Sequence, residues 1–73
     1  MNNKINNMRA QALAIADEVT TDLNIVVTDD KKEEVTVEGL LLAHHMGENT
    51  SDKEVMRRWI KASFEEAIRE GKI

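Results

Sequence analysis

Apolar residues recur along two stretches of this 73-residue chain at three- and four-residue steps, the spacing that gathers side chains on one side of an α-helix. Near the N-terminus Ile5, Met8, Ala12, Ile15 and Val19 form a narrow seam, widened by Leu13, Ala16 and Leu23. This predicts a long helix over residues 3–23 with the seam facing a core. A run of about two to three heptads is too short to argue for a coiled coil. In the last third, Val55, Met56, Trp59, Ile60, Phe64, Ala67 and Ile68 share one stripe and predict a second long helix over 51–70. Ser51 and Glu54 fit a capping box at its start, and Gly71 supplies a left-handed residue at its end. This stripe carries the only Trp and the only Phe of the chain. Trp59 is therefore expected to be buried against the N-terminal helix near Ile15 and Val19.

The middle of the chain supports two readings. Ile25-Val26-Val27 and Val35-Thr36-Val37 are β-branched runs on either side of Asp29-Asp30-Lys31-Lys32-Glu33-Glu34, which predicts a short β-hairpin over 25–37 with a charged tip. Ile25 and Val27 would then share a face with Val35 and Val37, because strand side chains alternate. A short helix over 37–46, stopped by Gly47, would follow. The rival is one helix from Asp30 to Met46 with Glu33 as its capping partner; Gly39 and the Val-Thr-Val run count against it. The hairpin is the preferred reading. Glu48-Asn49-Thr50 is a polar connector between Gly47 and Ser51. The fold class is thus mostly α, or α+β with the hairpin, in a single domain of residues 1–73.

Composition narrows the function classes. A domain of this size buries only roughly 60% of the surface its unfolded chain exposes. The chain has no Cys to staple it and only two aromatic residues to fill it. That light core points to self-association or a bound partner. Fourteen acidic residues against ten basic ones give a net charge of −4, which favours solubility and disfavours a polyanionic ligand. No apolar run approaches the length of a membrane span, and no secretory signal pattern is present. The expected compartment is the cytoplasm, with no membrane partner.

Candidate chemistry is sparse. His44 and His45 point roughly 100° apart on a helix, so the pair does not make a metal site; one is expected beside Leu42 and Met46 and the other in water. The hydroxyls lack a nucleophile elbow or a phosphate loop, and Glu33-Glu34 and Glu65-Glu66 lie in charged surroundings that leave a carboxyl unsuited to acid catalysis. No enzyme, cofactor, catalytic residue or metal ligand is predicted. The candidate partner-contact residues are Lys53, Arg57, Arg58 and Lys61, a basic cluster in the first half of the C-terminal helix, where positive charge opposes the helix dipole. The cluster is expected to be neutralised within the fold, by the acidic run Asp29 to Glu38 with Glu65 pairing Lys61, or by a protein, rather than by nucleic acid.

Taken together, these features favour a non-catalytic protein–protein interaction module. By analogy with small acidic proteins, including those carried by phages and mobile elements, it would be a regulator or inhibitor, or else a homodimer. The alternative is a helix-turn-helix-like nucleic-acid-binding module using Lys53, Arg57, Arg58 and Lys61. The long connector after Gly47, and Asp52 and Glu54 at the start of the would-be recognition helix, weigh against it.

Overall fold

In a computed structural model, which describes the backbone of residues 3–73 and side chains from Met8 onward, the chain forms three helices in order: α1 (Asn3–Asp22), α2 (Asp29–His45) and α3 (Lys53–Arg69). Among the described residues there is no strand, so the fold is mostly α and the predicted hairpin over 25–37 is absent.

The hairpin loses to a longer central helix for local and tertiary reasons. Thr28 caps α2, its Oγ1 accepting the Lys31 N–H at 3.2 Å, and Asp29 and Asp30 occupy the first turn, where the dipole favours negative charge. The helix therefore starts just ahead of the predicted Asp30 cap, and Glu33 is taken by Arg9 of α1 rather than used in a capping box. Lys31 pairs with Glu34 at 3.0 Å along the same helix. The Val-Thr-Val run is absorbed without a strand. Val35 enters the core, Thr36 is buried with its hydroxyl donating to the Lys32 carbonyl at 2.6 Å, and Val37 is exposed. On a strand Val35 and Val37 would share a face. On a helix they lie about 200° apart. Only the linker keeps the two-residue alternation: Ile25 and Val27 pack against the core while Val26 is 98% exposed.

All three helices end in the same way. Asn24, Gly47 and Gly71 each adopt positive φ (57°, 78° and 75°). The amide one residue further on donates back to the carbonyl five residues earlier, as Ile25 to Thr20, Glu48 to Ala43 and Lys72 to Ala67. These are Schellman stops, and Gly47 and Gly71 were legible as such. The start of α3 differs from expectation by one residue. Asp52, not Ser51, is the cap, its carboxylate accepting the Glu54 N–H at 2.8 Å, while the Ser51 amide is held by Asn49 Oδ1.

The core is built from Ala12, Ile15, Ala16 and Val19 of α1, Val35 of α2, and Met56, Ile60, Phe64 and Ala67 of α3, with Met8, Leu23, Ile25, Val27 and Leu40 packed around it. The α1 seam is as predicted over Met8 to Val19; Ile5 lies outside the described side chains. Trp59 does not join this cluster. It is half-buried on the α2 side of α3, and Phe64 with Met56 and Ile60 takes the central place expected of it. Where α2 crosses α3, Gly39 is in close contact with backbone: a Cβ there would lie 2.9 Å from the Trp59 carbonyl oxygen and 3.0 Å from Ser63 Cβ. Ser63 Oγ also donates to the Val35 carbonyl at 2.8 Å. Contacts that move back along α3 as α2 advances make the two helices antiparallel neighbours.

Candidate binding face between α2 and α3

A helix packed against two others needs only part of its circumference to be apolar, and α2 has more than that. Gly39 and Ala43 face inward, so Val37 and Leu41, two residues either side of Gly39, point outward. Val37, Leu41, Leu42 and Met46 are 44%, 62%, 55% and 65% exposed. Val37 and Leu41 are four residues apart, as are Leu42 and Met46, and Leu41 adjoins Leu42. The four therefore form two adjoining apolar pairs, with Glu38 one turn back and His45 one turn on at angles between Leu41 and Leu42.

Beside Leu42 these pairs run into a groove of about 400 Å³ between α2 and α3. Leu42, Trp59, Ala62 and Ala67 supply its apolar lining, and Glu38, Glu66 and Glu70 its carboxylates. Among the described residues one cation, Lys72, lines it. The Schellman stop after α3 fixes the Lys72 backbone, and its ammonium lies 3.2 Å from Glu70. The bond to Glu70 raises the Lys72 pKa, with the charges of Glu70, Glu38 and Glu34 adding to it. Next to the groove, Val37 sits in a depression otherwise lined by Asp30, Glu33, Glu34 and Glu38. Glu33 and Glu34 have partners in Arg9 and Lys31, whereas Asp30 and Glu38 make no ion pair among the described residues. At the groove wall the Trp59 indole Nε1 is buried without a hydrogen-bond partner.

The residues singled out from sequence are arranged differently. Lys53, Arg57, Arg58 and Lys61 are all exposed. Arg57 pairs with Glu18 of α1 at 2.6 Å, while Lys53, Arg58 and Lys61 make no ion pair among the described residues. The acidic run of α2 therefore does not neutralise the cluster, and Glu65 does not pair with Lys61. That run instead meets Arg9, Lys31 and Lys32, the last of which bonds Asp17 of α1 and lies 3.7 Å from Asp29. Lys53, Arg57 and Lys61 follow one line toward the α1 side, and Arg58 is about 100° round the helix from Arg57. Arg58 lies one turn back from Lys61 and about 60° round the helix from it, so the four share one exposed side of α3 spanning about 140°. His44 and His45 are both exposed, which corrects the expectation that one is partly buried. Among the described residues no group of His, Cys, Asp and Glu is placed to hold a metal ion, and no helix is long and apolar enough to cross a membrane.

The sequence reading missed the α2 face. Its signal was the Leu40-Leu41-Leu42 run, because three consecutive leucines on a helix cannot all face one core. No family model, curated protein or solved structure matches the chain.

Proposed function

We propose that this chain is a non-catalytic protein-binding module, a small acidic regulator or inhibitor, that engages its partner through the α2–α3 face. The observation that carries this reading is the exposure of four large apolar residues, Val37, Leu41, Leu42 and Met46, on one short stretch of chain beside the Leu42–Trp59 groove of an otherwise heavily charged protein. Fully burying one such side chain stabilises by roughly 1.5–3 kcal/mol, so covering four that are about half exposed gives about 4 kcal/mol before association costs. Those costs are about as large or larger, so a partner must add polar or charged contacts to bind well. The carboxylates around these residues are suited to supply them. A cytosolic working compartment belongs to this reading, since a cysteine-free chain is at home under reducing conditions.

Charge weighs against the nucleic-acid alternative. Arg57 is engaged by Glu18, Asp52 and Glu54 stand at the start of α3, and the net charge of −4 repels a polyanion. The test is affinity capture with the wild-type protein, with Leu41→Asp/Leu42→Asp, and with Arg58→Gln/Lys61→Gln, all shown to be folded by circular dichroism. A specific protein retained by the wild type and the basic-residue variant, and lost in the leucine variant, is the expected result. Loss in the basic-residue variant alone would move the site to α3 and overturn this reading.

A further inference from the structure

The binding reading leaves the partner's chemistry open, and the groove's charge narrows it. We propose that the occupant is a basic amphipathic α-helix of a partner protein. Its apolar side would lie on Leu41, Leu42, Trp59 and Ala62, and its Lys or Arg side chains would meet Glu38, Glu66 and Glu70. This rests on the protein-binding reading above.

Shape is the first argument. The groove runs between two antiparallel helices, and such a groove takes a third helix through apolar anchors at helical spacing. Charge is the second. Among the described residues, three carboxylates line the groove against the single Lys72, and the adjoining depression around Val37 is lined by four carboxylates and no cation. Glu66 and Glu70 are engaged by Arg69 and Lys72 only through exposed pairs, which exchange readily with an incoming cation. Among the described residues Glu38 makes no ion pair.

The third argument comes from the chain itself. Lys72, its backbone bonded to Ala67, sets an ammonium 3.2 Å from Glu70 in the groove that Glu38 also lines, and its pKa is raised chiefly by the bond to Glu70. An ammonium beside Glu70 is the contact that a partner's Lys would repeat at Glu38 and Glu66.

Other occupants fit less well. A second copy related by a two-fold axis across α2 would set Glu34 and Glu38 near their own counterparts, with a charge of −4 on each copy. A polyanion would meet the same carboxylates with the wrong sign.

The test uses the full chain and a synthetic amphipathic peptide of about 18 Leu and Lys residues, without Trp, long enough to span about 27 Å as a helix. Trp59, the only Trp, reports binding by fluorescence. Saturable binding is expected, with a scrambled peptide of the same composition and a Leu/Glu peptide both at least tenfold weaker. Glu38→Gln/Glu66→Gln/Glu70→Gln should weaken binding at least tenfold. Asp22→Asn/Glu48→Gln/Glu54→Gln, which removes as much charge elsewhere, should change it less than twofold. Equal losses in the two triple variants would reduce the effect to net charge and overturn the proposal. So would equal binding of the scrambled peptide, or self-association of the protein alone in sedimentation. If the Leu/Lys peptide fails to bind while Leu41→Asp/Leu42→Asp still abolishes capture of a protein, this inference falls and the protein-binding reading stands.

Discussion

Gly39→Ala separates the packing described above from simple helix propensity. In a helix interior Ala is favoured over Gly by about 1 kcal/mol, so on a free surface the substitution would stabilise the protein. At Gly39 the new methyl would lie 2.9 Å from the Trp59 carbonyl oxygen, 3.0 Å from Ser63 Cβ and 3.4 Å from Ile60 Cα. Two of these are backbone atoms, and the oxygen belongs to the hydrogen-bonded ladder of α3, so no rotamer change relieves the clash. The helices must separate instead. Overpacking of this kind costs about 1–3 kcal/mol, and the rigidity of the neighbours argues for the upper end. The net expectation is a loss of about 2 kcal/mol. For a domain of this size each kcal/mol moves the thermal midpoint by about 4–8 °C, so the midpoint should fall by about 8–16 °C. Urea unfolding and thermal melts followed by circular dichroism at 222 nm measure both quantities. A midpoint equal to or above the wild type would refute the close approach of α2 to α3 at this residue.

Three further outcomes follow from the packing and charges. Phe64→Ala, which empties a fully buried position, should cost about 3–5 kcal/mol, while Trp59→Ala at the half-buried groove wall should cost about half as much; denaturant midpoints in the reverse order would restore Trp59 to the core. Lys32 has its pKa raised above 10.5, chiefly by the side-chain bond to Asp17, so the stability it contributes is present below that pH and lost as pH climbs through the raised value. The urea midpoint of the wild type should therefore drop more steeply above pH 10.5 than that of Asp17→Asn, and parallel curves would contradict the coupling. Arg57→Gln removes an exposed pair with Glu18 and should cost less than about 1 kcal/mol, and the wild type should leave duplex DNA unshifted in a gel near physiological salt; a shift abolished by Arg57→Gln/Arg58→Gln would promote the nucleic-acid alternative.

Two of the three helices were legible because their apolar residues follow one period from end to end. The α1 seam and the Met56, Ile60, Phe64 and Ala67 stripe went where the spacing put them. The central helix was misread because its two strongest local signals against a helix have tertiary explanations. Gly39 weakens α2 in isolation and yet is what lets α3 approach, and Val35 and Val37 look like strand alternation until one enters the core and the other faces solvent. Trp59 was misplaced because a periodic stripe gives the face of a helix without saying which neighbour covers each edge. The candidate site depended on the same segment. The expected helix over 37–46 already held Val37, Leu41, Leu42 and Met46, but which of its sides α3 covers depends on the close approach at Gly39, which the spacing of apolar residues does not show, and attention fell on the basic residues of α3.

The central claim is that the face between α2 and α3 is the surface on which this protein binds a basic helix. Titrating the Leu/Lys peptide into ¹⁵N-labelled protein and following backbone amides and the Trp59 indole N–H tests it residue by residue. The account predicts saturable shifts confined to residues 37–46 of α2, to Trp59 and its indole N–H, and to residues 62–72, with α1 unmoved. Shifts centred on Lys53, Arg57 and Lys61, or spread evenly over all three helices, would contradict it.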